Sequence, residues 1–309
     1  MKEEIYKHLQ VRYVKLYFTL TFLEDTKLPV NKTSALRGGM GEMLLRANCV
    51  RDRNCETCDF ESECIVRRTM YSKFEKKPDF VTTGESIGYV LECEDKREYY
   101  SVGENLEFHL ILFGRTIVYL NQFIQAFAMF GMYGLGKEHS RFRITEIKNS
   151  TRELLFDGSQ MNMERYHILH LSDYVENRIC KQNGQWKNQL TFYTPLTLKY
   201  QNKFLQEFQM EPVINAIRRR IYMLNCYEGM DKEWKEQNFK IPEIIWQNHQ
   251  FVQVERYSSR QNSRMTLKGI KGTIQLDRVD DALLPLLLAG ELIHIGKNTS
   301  FGFGRFRVE

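Results

Sequence analysis

Hydrophobic and polar residues alternate along several short segments of this chain, and in others apolar residues recur at helical spacing. Residues 13–22 place an apolar side chain at every second position, which predicts a strand with one buried face. Residues 31–34 supply helix-capping side chains, and Leu36, Met40, Met43 and Leu44 then fall on one helical face. The chain therefore opens with a strand followed by a helix.

The same two patterns continue to the end of the chain. In the first half, further strands are predicted over residues 87–93, 106–114 and 141–147, and a second helix over 117–130. In the second half, strands are predicted over residues 190–200, 251–257, 267–276 and 305–308, and helices over 214–224 and 282–293. Each half thus has the β-α-β-β-α-β order of a split βαβ fold. We predict an α+β protein with tandem ferredoxin-like, or RRM-like, domains.

A glycine-rich loop ends each half. Gly136-Lys137-x-x-Ser140 is followed by Arg-Phe-Arg-Ile, and Gly296-Lys297-x-x-Ser300 is followed, after a four-residue insert, by Arg-Phe-Arg-Val. This similarity predicts an internal duplication. Residues 158–187 are polar and weakly patterned, so we place the boundary there. The predicted domains are 1–170, with a cysteine cluster inserted at 49–70, and 185–309, with a glycine loop at 296–304.

The second glycine loop is a candidate anion site. Glycine reaches positive φ and lets a ligand approach the backbone closely, and Gly302 and Gly304 lie beside the donors Lys297, Thr299 and Ser300. Most glycine clusters are only a helix C-cap and a turn. Nearby cationic side chains favour a phosphate-binding role for this one.

Three glycines also interrupt the first predicted helix, at positions 38, 39 and 41. Each costs about 1 kcal/mol relative to alanine in a helix interior. We therefore expect another backbone or a nucleic acid to approach here, beside Arg37.

Four cysteines lie within sixteen residues, at Cys49, Cys55, Cys58 and Cys64. Four closely spaced thiolates suit tetrahedral zinc, while an iron–sulfur cluster or free thiols remain the alternatives. Because four thiolates would fill the coordination sphere, we predict a structural zinc ion with no part in catalysis.

Composition sets broader limits. The 309 residues include 44 Lys and Arg against 39 Asp and Glu, so a polyanionic partner is compatible with the charge. The charged amino terminus does not resemble a signal peptide, and no apolar run approaches the roughly 20 residues of a membrane span. Seven cysteines, four of them clustered, suggest a reducing compartment. We expect a cytoplasmic protein with no membrane partner.

Together these features resemble the CRISPR-associated repeat-RNA processing endoribonucleases of the RAMP superfamily. The resemblance spans nearly the whole chain. Its most specific parts are residues 255–261, with Arg256 and Arg260, the strand that carries Gly269 and Gly272, and the loop from His294 to Gly304. The terminal glycine loop alone would equally suit a non-catalytic subunit of the superfamily.

The resemblance implies metal-independent cleavage of CRISPR repeat RNA, with a 2′,3′-cyclic phosphate and a 5′-hydroxyl as product ends. Such chemistry needs a general base, a general acid and positive charge at the phosphorane. Members often keep a histidine on or just after the first helix, but this chain has none between Thr33 and Glu75. The identity of the general base is therefore open.

The candidate catalytic residues are His294, then His139, with Lys297 and Arg37 as cationic groups. His294 has a capping or core role as its alternative, and the other five histidines are assigned structural roles. We expect RNA along the seam between the halves, with phosphates held by Lys297, Thr299, Ser300, Gly302 and Gly304 and bases read by Arg256 and Arg260. Association with other CRISPR effector subunits, and homodimerisation, are left open.

Overall fold

The computed structural model describes residues 2–72, 74, 78, 81, 86–136, 138–230, 240–258 and 263–309. Its helices are α1 Lys2–His8, α2 Thr33–Asn48, α3 Ile65–Met70, α4 Leu120–Tyr133, α5 Leu171–Gln182, α6 Met210–Tyr227 and α7 Leu284–Ile293. Its strands are β1 Arg12–Phe22, β2 Thr26–Lys27, β3 Tyr89–Glu92, β4 Tyr99–Tyr100, β5 Asn105–Phe113, β6 Phe142–Lys148, β7 Leu154–Phe156, β8 Leu169–His170, β9 Gln189–Leu196, β10 Lys199–Tyr200, β11 Lys203–Phe204, β12 Ile244–Ser258, β13 Ser263–Leu276 and β14 Phe306–Val308.

The chain divides into two compact units. One contains residues 13–74 and 80–168, and the other contains residues 1–12 together with 169–309. The amino-terminal residues join the second unit because Asn225 of α6 donates to His8 O and Glu228 accepts from Arg12 N. No helix in the described part of the chain has the length and apolar character required to cross a bilayer.

The first unit has an antiparallel sheet in the order β3-β5-β1-β6-β7. Alternation along β1 buries Val14, Leu16, Phe18, Leu20 and Phe22 in a core with helices α2 and α4. The Phe18 ring stacks on Phe108 of β5 at 4.9 Å and meets Phe127 of α4 at 5.4 Å. The predicted strand–helix order of this half is therefore present.

The second unit has the sheet order β12-β13-β9-β14. Phe192 of β9 stacks between Phe208 and Phe306, at 4.6 and 5.0 Å, and so joins the sheet to its core. Every residue of α7 from Pro285 to Ile293 is buried, which agrees with the apolar character of this helix. Both units thus combine helices with antiparallel sheets, in an order compatible with the predicted split βαβ repeats.

Helix α5 differs from the sequence prediction, which left residues 158–187 without regular structure. The helix forms because a buried ion pair holds it. Arg178 donates to Glu291 of α7 at 2.9 Å and to Val308 O of β14, while Tyr174 donates to the same carboxylate at 2.7 Å. These partners lie more than 110 residues away, so the local pattern could not reveal them.

The glycines of α2 are explained by packing within the first unit. A Cβ atom at Gly39 would overlap the ring of Phe130 on α4, and one at Gly41 would lie 2.7 Å from Met70 of α3. A Cβ at Gly38 would meet nothing within 4 Å. Close helix packing, rather than an approaching nucleic acid, therefore accounts for Gly39 and Gly41.

Gly39→Ala should lower the free energy of unfolding by about 1–3 kcal/mol, because the added methyl group overpacks the contact between α2 and α4. Gly38→Ala is the matched control and should raise stability by up to about 1 kcal/mol. Chemical denaturation of both variants checks this. Equal effects of the two substitutions would contradict the packing explanation.

Candidate nucleic-acid interface

The terminal glycine loop, residues 294–304, connects α7 to β14 and is held by backbone hydrogen bonds. Lys297 N donates to Thr197 O at 2.8 Å, Gly304 N donates to Pro195 O at 2.9 Å, and Ile295 N donates to Gly304 O at 3.2 Å. The first two bonds tie the loop to the end of β9. The loop is therefore an ordered part of the second unit.

Backbone atoms of neighbouring residues lie close to the glycines of this loop. Gly296, Gly302 and Gly304 all have positive φ. A Cβ at Gly296 would lie 2.6 Å from Thr197 O, and one at Gly304 would overlap Ile295 O. Their conformations and surroundings thus account for glycine at these positions without a bound phosphate.

The predicted polar contacts of the loop are mostly buried, and their role in binding RNA stays a prediction. Thr299 and Ser300 are each 5% exposed, and Gly302 and Gly304 are buried as well. A short 3-10 helix over Thr299–Phe301 turns these side chains inward. In this conformation they support the loop rather than present donors to RNA.

His294 is also buried, with an exposure of 0%. It ends α7 with φ of +55°, and its Nδ1–H donates to Phe303 O at 3.1 Å across the loop. This geometry keeps the ring away from solvent, and the role of general base stays a prediction. The same geometry matches the alternative of a capping residue in the core.

Lys297 and Arg256 are the predicted cationic residues that the structure brings to the loop. The Lys297 side chain is exposed. The Arg256 guanidinium lies 4.4 Å from the ring centroid of Phe301, because a small cluster of Val254, Leu267, Phe301 and Phe303 packs the β12–β13 hairpin against the loop. Arg260 lies outside the described residues.

The other two catalytic candidates belong to the first unit. His139 is exposed at φ of +53°, in a turn closed by reciprocal backbone bonds between Leu135 and Ser140. Arg37 is half-buried on α2. Lys137, the lysine of the duplicate loop, lies outside the described residues. Of the two candidate catalytic histidines, His139 and His294, only His139 is exposed.

A polar network surrounds His109 on the first sheet, and the sequence interpretation, which gave this histidine a structural role, did not predict the network. The His109 Nδ1 lies 2.9 Å from Glu92, and its Nε2 lies 3.0 Å from Glu107. Glu92 also pairs with Lys15 at 2.7 Å, and Glu107 with Arg152 at 3.0 Å. The register that places Glu92 and Tyr17 opposite His109 assembles the network from three strands.

The network is structural in this conformation, since His109 is only 7% exposed and a carboxylate occupies each ring nitrogen. Burial acts to raise the pKa of Glu107, but hydrogen bonds from His109 and Arg152 and their charges hold that pKa below its usual value. Glu107 therefore stays ionised and keeps its partners in place.

The four clustered cysteines are half-buried and free of disulfides. Cys49 Sγ donates to Arg51 O at 3.3 Å, and Cys64 packs against the core of the first unit. Across the described residues, no group of three or more Cys, His, Asp or Glu side chains is arranged to hold a metal ion. This arrangement does not fit a zinc site. Zinc binding stays a prediction from the cysteine spacing, and metal analysis of the protein can check it.

Two family models match the chain. The AF_1859_N family, an N-terminal domain, matches residues 9–167, which are 159 of the 309 residues. The family of the CRISPR-associated endoribonuclease Cas6 matches residues 190–306. An uncharacterized protein of Archaeoglobus fulgidus is 24% identical over 286 residues, covering 91% of this chain and 92% of that protein.

Solved structures share the fold. A product complex of Thermus thermophilus Cas6 superposes with a TM-score of 0.53 and 12% identity over 96% of this chain and 99% of that one. A partial Cas6-RT-Cas1–Cas2 complex superposes with a TM-score of 0.55 and 11% identity over 97% of this chain, which spans 46% of the matched chain. At such identities the likeness establishes a common fold.

The fold is thus that of solved Cas6 structures, and residues 190–306 match the Cas6 endoribonuclease family. The chain belongs to the AF_1859_N family, whose model matches its first half.

Proposed function

We propose that the protein is an endoribonuclease that cuts CRISPR repeat RNA without a metal ion. The observation that carries this proposal is the match of residues 190–306 to the Cas6 endoribonuclease family. Within that region the ordered glycine loop carries the exposed Lys297, and the adjacent hairpin places Arg256 beside Phe301 of the loop. Both cationic side chains carry the positive charge that phosphate recognition needs.

In the proposed reaction a ribose 2′-oxygen attacks the adjacent phosphorus. A base takes the 2′-hydroxyl proton, the bond from phosphorus to the 5′-oxygen breaks, and an acid protonates the leaving oxygen. The products are a 2′,3′-cyclic phosphate and a 5′-hydroxyl. The exposed His139 is our candidate for proton transfer, and Arg37 of the same unit is a candidate to stabilise the phosphorane.

The rival function is a non-catalytic RNA-binding subunit of a CRISPR effector complex. The superposition on a Cas6-RT-Cas1–Cas2 complex favours a protein that joins other CRISPR proteins. The buried position of His294 also favours this rival, since a general base must reach the RNA. Association with other CRISPR proteins is compatible with either function.

Incubation with end-labelled CRISPR repeat RNA in EDTA should produce one cut, with a cyclic phosphate on the 5′ fragment. The cyclic end can be identified by its resistance to a phosphatase until acid opens the ring. A substrate with a 2′-deoxyribose at the cut position should bind and stay intact. Tight binding without product after long incubation would establish the rival function.

Lys297→Ala should weaken RNA binding and reduce the slope of log affinity against log salt by about 0.7, the value for one lost contact to a single strand. Lys181→Ala on α5 is the matched control, because it removes one exposed lysine from the same unit. Its salt dependence should equal that of the unmodified protein. Fluorescence anisotropy at several salt concentrations measures both, and identical slopes for the two variants would remove Lys297 from the interface.

A further inference from the structure

The sheet of the second unit has one face on its core and an opposite face that carries polar and aromatic side chains. The pairing of residues on neighbouring strands shows which side chains share a face of the sheet. Phe192, Gly272, His249 and Phe306 lie across from one another on the core side. On the opposite side, Thr191 lies beside Thr273 and Arg307, and its hydroxyl is 3.3 Å from that of Thr273.

Two aromatic side chains stand exposed on this opposite face. Tyr193, two residues after Thr191 on β9, is 50% exposed. Trp246, which pairs with Gln275 on β12, is 54% exposed. Gln275 in turn pairs with Gln189. Strand geometry therefore places the two rings about 16 Å apart on a diagonal across the sheet.

The same face is positively charged. The Arg305 guanidinium lies 5.8 Å from the Tyr193 ring centroid, and Arg307 follows two residues later on β14. Lys271 lies on this side of β13, opposite Gln250. The nearby carboxylates have cationic partners, since Glu309 pairs with Lys187 at 3.9 Å and Asp277 with Lys240 at 3.5 Å. Exposed aromatic rings beside cationic side chains suit a polyanion whose flat groups can stack on those rings.

We propose that this face binds an unpaired segment of RNA, with bases stacked on Tyr193 and Trp246 and phosphates near Arg305, Arg307 and Lys271. The inference rests on the proposed RNA-binding function and adds a second contact surface to the glycine loop. The occupant is single-stranded because bases in a duplex are stacked on each other and cannot reach an aromatic side chain. Stacking of this kind tolerates any base sequence.

The test uses the full chain with fluorescein-labelled oligouridylate and a fully paired RNA duplex of the same length. Tyr193→Ala and Trp246→Ala should each weaken single-strand binding by roughly 5- to 150-fold, the range for losing one stacked base. Tyr193→Phe and Trp246→Phe should retain most of the affinity, since a ring remains. Duplex binding should change much less.

Phe251→Ala is the matched control. Phe251 is an aromatic residue on the same strand as Trp246 and is 41% exposed. It lies an odd number of residues from Trp246, so its side chain is on the core side of the sheet. Its removal should leave single-strand affinity unchanged. In the unmodified protein, oligouridylate should also quench tryptophan fluorescence, and Trp246→Phe should remove most of that response.

The outcomes separate this inference from the proposed function. Failure of the unmodified protein to bind either RNA would reject both. Normal single-strand affinity of the folded double variant Tyr193→Ala, Trp246→Ala would reject the stacking surface and leave RNA processing intact. A change from dimer to monomer in sedimentation of that variant, with RNA affinity unchanged, would show that the face binds a second copy and would also overturn the proposal.

Discussion

The attachment of the terminal glycine loop to β9 is the constraint on which the second unit depends. Bonds from Lys297 N to Thr197 O and from Gly304 N to Pro195 O fix the two ends of the loop, and His294 bridges it from within. With the loop fixed, Phe301 and Phe303 can pack against the β12–β13 hairpin. This packing brings Arg256 beside the loop and leaves the Lys297 side chain outside.

Much of the architecture could be predicted because it follows local periodicity. Alternation in β1 and the apolar run of α7 each mark an element whose buried side is visible in the sequence. Helix α5 was missed because Arg178 is stabilised by Glu291, a partner 113 residues away. The His109 network was missed for the same reason, since its carboxylates come from other positions in the sheet.

Composition alone does not show what the interior of the glycine loop contacts. Glycine can serve a bound phosphate or a neighbouring carbonyl equally well, because both need the absence of a Cβ atom. Composition cannot distinguish them, and the structure favours the carbonyl at Gly296 and Gly304. Thr299 and Ser300 likewise have hydroxyl groups that can donate hydrogen bonds, but both residues are buried. The RNA contacts that we propose therefore lie on the exterior of the loop and on the neighbouring sheet.

We propose that His294 supports the loop and does not transfer protons. The direct measurement is the single-turnover rate of RNA cleavage by His294→Ala at saturating RNA, together with its free energy of unfolding. We predict a loss of about 1–3 kcal/mol in stability, since Phe303 O loses its buried partner, and a cleavage rate of the folded protein close to normal. A variant of normal stability that cleaves roughly 100-fold or more slowly would contradict the claim and return His294 to the chemistry.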